Sequence, residues 1–264
     1  MSMTYLGIDC AATISASAAK VLKANGISFA GRYLVPQGMY KDLKASEITA
    51  LHNEGIAILL CWEIEAAAVK GGADRGAKDG ARAKALAQQF QVPSGTTIYF
   101  ACDYGAQPSD YATIEAYIRA AQQACYPYEA GLYGHALLVD YLATAGACKK
   151  FWQCVAWSLG RVSQYTSVYQ YQWSGGAESK ALAAKVGFDV DMDRCNNLEA
   201  AGLWLPKPET HWYDDTVAWA KKEGIVTEAR PTDYATRAEV MQMFRNYNRR
   251  FEEADPKTDS GLLN

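Results

Sequence analysis

Acidic residues stand where runs of strand-forming residues stop. Asp9 closes YLGID, Glu63 and Glu65 follow LLCW, Asp103 ends TTIYFACD, and Asp191 lies in GFDVDMD just after Asp189. Aspartate is depleted in strands and favours turns, so one such acid reads as a turn residue. Acids at the ends of four separate runs read instead as a rim of presented carboxylates. Carboxyl groups gathered this way suit glycoside cleavage, in which one protonates the leaving oxygen and a second, or a substrate group, stabilises an oxocarbenium-like centre. Alternation places Leu59, Cys61 and Glu63 on one face, and Tyr99, Ala101 and Asp103 on another such face, so the acids can continue inward-facing rows.

Aromatic residues gather within or just after the same runs: Trp62, Tyr99, Tyr104, Tyr133, Trp157, Tyr171 and Trp173, beside the amides Gln170 and Gln172. Any one of them is ordinary core material. As a set around a carboxylate rim they suit a sugar, which offers apolar C–H faces and hydroxyl edges.

Other chemistries find less support. The chain has three histidines, His52, His135 and His211, without an HExxH pattern. Its seven cysteines contain no CxxC, so neither a disulfide framework nor a thiolate zinc site is expected. Cys102 should point away from Asp103, toward helices. GGADRGAK lacks the Gly-Lys-Ser/Thr ending of a phosphate loop and reads as a loop leading into a helix. No metal or cofactor is therefore expected. A net charge of -3 with no basic cluster argues against nucleic acid. MSMTYLGIDC lacks the pattern of a secretory signal, and no apolar run approaches the roughly 20 residues that span a bilayer, so the expectation is a soluble chain outside the usual secretory route.

The acids need strands to position them, and short apolar runs alternating with Ala-rich helical stretches supply these. Strands are expected at 5–9, 28–34, 56–64, 97–103, 130–134, 151–157, 168–173 and 188–192, with helices at 15–25, 45–54, 74–90, 109–124 and 136–144. Ser15 and Ser109 suit N-caps, and Gly26 and Gly55 suit the position just past a helix end. This order gives an α/β fold, a (β/α)8 barrel with its later helices shortened or lost, whose function belongs at the carboxyl ends of the strands. An open doubly wound sheet is the alternative, weakened by the lack of GxGxxG after the first strand.

The chain resembles the glycoside-hydrolase-like domains of bacteria and phages, relatives of the family 25 lysozyme-type barrels. The resemblance lies in GIDC, FAGRYL, LKASEITALHNEGIAILLCWE, GAKDGARAKALAQQFQVPSGTTIYFACDYG, AGLYG, FWQCVAWS, VYQYQW and VDMD, with TIYFACDY the most specific block. It implies a barrel over 1–203 with an acid site built from Asp9, Glu63, Asp103 and Asp191. Arg32, Trp62, Glu65, Tyr99, Tyr133, Trp157, Gln170 and Gln172 are the matching substrate-binding candidates. Family 25 lysozymes carry Asp-x-Glu at the end of the fourth strand, where this chain has Ala101-Cys102-Asp103. Either Glu63 serves as general acid, with Asp103 or Asp9 on the oxocarbenium side, or the site binds sugar without cleaving it.

After a linker expected at 204–210, the segment 211–264 changes character. HWYDD, VAWAKKEGIV and ATRAEVMQMFRNYNRR resemble a single S-layer homology module of two helices, with Trp212, Thr236, Arg237 and Glu239 as its wall-binding candidates and Thr236 and Glu239 in capping-box spacing. The resemblance implies contact with wall polysaccharide, and self-association is the alternative use of such a helical pair. A wall-polymer hydrolase joined to a wall-binding module implies a phage endolysin. It would be held in the host cytoplasm until a holin opens the membrane, and would cleave peptidoglycan between N-acetylmuramic acid and N-acetylglucosamine.

Overall fold

The computed structural model describes residues 5–207, 219, 220, 222 and 237–254. The apolar runs form β1 (Tyr5–Asp9), β2 (Ile27–Tyr33), β3 (Ala57–Trp62), β4 (Thr97–Ala101), β5 (Glu129–Gly134), β6 (Phe151–Cys154), β7 (Val168–Gln172) and β8 (Asp191–Cys195). They close into a barrel in chain order. Around it lie α1 (Ala16–Ala24), α2 (Ala45–Asn53), α3 (Gly72–Gln89), α4 (Tyr111–Cys125), α5 (Ala136–Thr144) and α6 (Ala177–Val186). Ser15 caps α1 by accepting the Ala18 N–H at 3.2 Å. Gly26 and Gly55 leave α1 and α2 at φ +80° and +67°, a conformation glycine adopts without steric cost. Ser109 is no cap: it sits in a 3-10 turn, and α4 begins at Tyr111.

The barrel departs from the expected all-parallel form at its end. β8 runs antiparallel to both β1 and β7, and it spans Asp191–Cys195, not 188–192. Reversal means that β8 brings its first residue, not its last, to the rim formed by the carboxyl ends of the other strands. Helix α6 was missed, and the β6–β7 connection carries no helix.

Alternation divides the side chains into two layers. Ile8, Leu60, Ile98, Phe100 and Leu132 face outward under the helices, and Cys102 joins them, as its place beside Asp103 required. Phe29, Leu59, Cys61, Tyr99, Ala101, Tyr133, Trp152 and Cys154 face inward. A fully buried ring of this kind contributes about 1.5–3 kcal/mol. The large rings fit because glycine occupies facing positions. A Cβ on Gly31 would come within 2.7 Å of the Asp9 Cβ and 3.4 Å of the Trp152 ring.

The amino end of the barrel is plugged. Ala201 and Leu203 pack into it, the Gly202 carbonyl accepts from Thr97 N at 2.8 Å, and Trp204 exchanges backbone bonds with Ile58. Trp204, expected to open the linker, is thus buried against the barrel, and the chain divides into compact units after Lys207. At the carboxyl end, within the barrel unit, Glu63, Asp103 and Asp191 are half-buried. Beyond Lys207, α7 (Arg237–Ala254) covers the second helix expected there. The first expected helix lies outside the described residues apart from 219, 220 and 222.

Candidate active site

Four strands bring acids together at the carboxyl end of the barrel: Asp9 ends β1, Glu63 follows β3, Asp103 lies past β4 and Asp191 begins β8. The antiparallel register sets Asp9 opposite Asp191 and Gly7 opposite Asp193, so two β8 acids follow one another down the interior beside Asp9. Gln170 of β7 ties the group: its amide nitrogen donates to Asp9 Oδ2 at 2.8 Å and to Asp191 Oδ2 at 3.1 Å. Its oxygen accepts the Tyr133 hydroxyl at 3.0 Å. Below them the Trp152 indole donates to Asp193 Oδ1 at 2.8 Å. Burial, then the charge of Asp191, raises Asp9 to about 7. Burial, then Asp9, raises Asp193 well above the usual carboxyl range. Asp191 is also raised by burial, opposed by the Ser174 backbone N–H and supported by the charge of Asp103.

Asp103 sits past the end of β4, where its backbone N–H donates to the Ala66 carbonyl at 3.0 Å. Burial raises its pKa, Glu63 adds to the rise, and Lys41 opposes it. The Lys41 ammonium lies 3.1 Å from Glu63 and 4.2 Å from the centre of the Tyr33 ring. A folded-back loop presents Lys41: Leu43 N donates to the Tyr33 carbonyl at 3.0 Å, while Asp42 accepts from Gly38 N at 2.7 Å and pairs with Lys44 at 2.5 Å. The Tyr33 phenol is raised by burial and by the charges of Asp9, Glu63 and Asp103, which places it among all these acids.

The binding candidates separate. Gln170 and Tyr133 belong to the site. Trp157 stands at its rim, 45% exposed, with φ +55°. The next residue, Ser158, is anchored by donating to the Cys154 carbonyl at 2.6 Å and accepting from Ala136 N at 3.0 Å. The Trp157 ring packs close to Gly105, two residues past Asp103.

Arg32 does not line the site. It is fully buried on the outer face of β2, paired with Glu47 at 2.5 Å and bonded to the Cys10 carbonyl. Trp62, next to inward-facing Cys61, also points outward, into the layer beneath the helices. Tyr99 faces inward but too deep, its hydroxyl donating to Ala201 in the plug at 2.7 Å. Gln172 accepts from Ser179 N at 2.9 Å at the start of α6, and Glu65 is exposed beside Arg75 at 3.6 Å. In the segment beyond the barrel, Trp212 and Thr236 lie outside the described residues, and Arg237 and Glu239 fall in the first turn of α7.

Sequence reasoning missed Asp193, Lys41, Tyr33 and Trp152. Period-two alternation from Asp191 reaches Asp193, and from Phe29 it reaches Tyr33. Lys41 carries no such signal because a loop presents it.

This geometry agrees with what the chain is similar to. The family described as Rv2525c-like, glycoside hydrolase-like domain matches residues 20–255. The chain belongs to this family. The Tat-secreted protein Rv2525c of Mycobacterium tuberculosis, solved with L-tartrate, is 22% identical over 77% of this chain and 100% of its own, with a TM-score of 0.64. An uncharacterised B. stearothermophilus protein is 19% identical over 76% of this chain and all of its own, at 0.56. A family 25 glycosyl hydrolase of Streptococcus pneumoniae, described as taking part in host cell invasion, is 16% identical over 77% of this chain and 94% of its own, at 0.50. These likenesses establish a shared fold with the Rv2525c-like domains and the family 25 barrels. No curated protein matches the chain.

Proposed function

We propose that the carboxyl end of the barrel hydrolyses glycosidic bonds of bacterial cell-wall peptidoglycan, in the manner of a muramidase. The observation that carries this reading is the meeting of Asp103 and the Gln170-bridged acids Asp9 and Asp191 at the carboxyl end of the barrel, with the pKa values of all three raised. A carboxyl that holds its proton above the usual range is what a general acid requires.

We assign the proton donation to Asp103. The geometry favours it over Glu63, whose charge is matched by Lys41 at 3.1 Å. Protonating Glu63 would leave that ammonium unpaired in a mostly buried place. As an anion, Glu63 instead helps Asp103 to hold its proton. As the glycosidic C–O bond breaks, Asp103 gives its proton to the leaving oxygen and Asp191, oriented by Gln170, faces the positive charge that develops at the sugar carbon; water then adds to that carbon and its released proton restores Asp103. Trp157 offers a flat apolar face for the neighbouring sugar ring. These steps use no metal or cofactor.

The Lys41–Glu63 pair also favours a second reading, in which the barrel binds wall glycan without cutting it. Release of reducing ends from purified peptidoglycan separates the two, and mass spectrometry of the fragments names the bond.

We place the action at the cell wall, in keeping with the Tat-secreted character of Rv2525c. Release from a host cytoplasm through a holin is the route of an endolysin, and it is the phage form of the same proposal. The segment beyond Lys207 we assign to attachment to secondary wall polysaccharide, on the likeness of its TRAE motif to an S-layer homology module, with self-association as the competing use.

A further inference from the structure

Asp193 has no place in the chemistry just described, yet it is fully buried at the centre of the barrel. One of its oxygens accepts the Trp152 indole N–H at 2.8 Å. The other, Oδ2, meets no hydrogen-bond donor among the described residues. Across the β1–β8 ladder Asp193 stands opposite Gly7, and Asp9, two residues further along β1 on the same face, lies diagonal to it and within side-chain hydrogen-bonding reach, its own Oδ2 taken by Gln170 at 2.8 Å. An ionised carboxylate can only accept, so two ionised acids side by side in a dry interior would repel and leave an oxygen unpaired.

We infer that Asp9 and Asp193 share one proton, held in a carboxyl–carboxylate hydrogen bond that is fixed by Trp152 on one side and Gln170 on the other. The pair then carries a single negative charge. Asp193 is a positioning residue acting through Asp9: it limits the charge beneath Asp191 and leaves the Gln170 amide free to orient both rim acids. Its part in cleavage rests on the proposed hydrolysis, but the shared proton does not.

The surroundings fit this assignment. Asp191 on β8 and Asp103 past β4 are the acids that act on the pair, and both disfavour a second charge there. Tyr33 on β2, Tyr133 on β5, Tyr171 on β7, and the thiols of Cys10, Cys61 and Cys195 also interact with the pair, and burial keeps each of them neutral at pH 7. The nearest buried cation on β2, Arg32, is committed to Glu47 on the outer face. Burial accordingly raises both members of the pair.

The test reads protonation directly, without substrate, so an inactive barrel leaves it intact. The full chain is labelled with aspartate enriched in carbon-13 at Cγ, and the carboxyl signals are followed by NMR from pH 4 to 9, assigned with Asp9→Asn and Asp193→Asn. In the wild type the pair keeps one proton through pH 6, well above the usual carboxyl range. In Asp193→Asn the amide supplies the missing donor, and the Asp9 midpoint falls by roughly one unit or more. If that variant does not fold by circular dichroism, Asp9→Asn gives the reciprocal reading, a similar fall at Asp193. Both carboxyls fully ionised by pH 5 in the wild type, as a bound cation or trapped water would produce, overturns the assignment. So does a partner midpoint unmoved in the folded variant.

Discussion

Lys41 and Glu63 form an ion pair at 3.1 Å beside Asp103, at the mouth of the barrel. The two partners act on Asp103 in opposite directions: the Glu63 charge raises its pKa and the Lys41 charge lowers it.

Opposite shifts in the pH profile should follow. If Asp103 donates the proton, the alkaline limb of kcat/KM reports its pKa. Glu63→Gln should move that limb to lower pH, and Lys41→Met should move it to higher pH. Asp103→Asn should lower turnover about a hundredfold or more at every pH. A limb unmoved by both changes at the ion pair, with Glu63→Gln as damaging as Asp103→Asn, returns the donor role to Glu63.

Asp9 makes a prediction about stability. Its native pKa is raised from 3.8 to about 7, so between those values the folded chain holds a proton that the unfolded chain has lost. Stability from this group is therefore greatest at low pH and declines as pH rises from about 4 to 7, by at most ~1.4 kcal/mol per unit. Urea denaturation of the wild type and Asp9→Asn at pH 4.5, 5.5, 6.5 and 7.5 isolates the effect. The variant should gain on the wild type steadily toward pH 7. A difference that stays constant with pH contradicts the raised value.

The barrel seals its own amino end with residues up to Trp204, so a chain ending at Lys207 should fold alone. Circular dichroism and a cooperative thermal transition check this. Such a chain should cleave soluble glycan fragments at near the full-length rate yet sediment less with purified walls, because tethering alters effective concentration and leaves the bond-breaking step unchanged. Arg237→Ala in the full chain should reproduce the wall-binding loss. Unchanged sedimentation in both, with a change in oligomeric state on truncation, makes the segment an association element instead.

Much of this architecture was legible in the sequence because it rests on local pattern. The first strand and α5 fall where periodicity put them, and the inward rows ending in Glu63 and Asp103 follow from alternation. The same rule, applied strictly, turns Trp62 and Arg32 outward, since each neighbours an inward residue; the gathering of aromatics at strand ends drew Trp62 into the site instead, and motif likeness drew in Arg32. What the pattern could not show was long-range. Strand direction is not written in GFDVDMD, so the reversal of β8, and with it the burial of Asp193, appears only when the barrel closes. Tyr99 lies on the right face, but a plug arriving from Ala201 sets its depth. Lys41 reaches Glu63 through a loop whose path depends on Asp42.

Release of reducing ends from peptidoglycan decides most directly whether this cleft breaks glycosidic bonds. Purified peptidoglycan should be incubated with the full chain, with Asp103→Asn, and with the wild type after exhaustive chelation, and new reducing ends counted over time. The account predicts steady release by the wild type, the same rate after chelation, and loss of about a hundredfold or more in folded Asp103→Asn, with all three sedimenting equally with the polymer. Wall binding without reducing ends above the Asp103→Asn background would contradict it and make the barrel a glycan-binding protein.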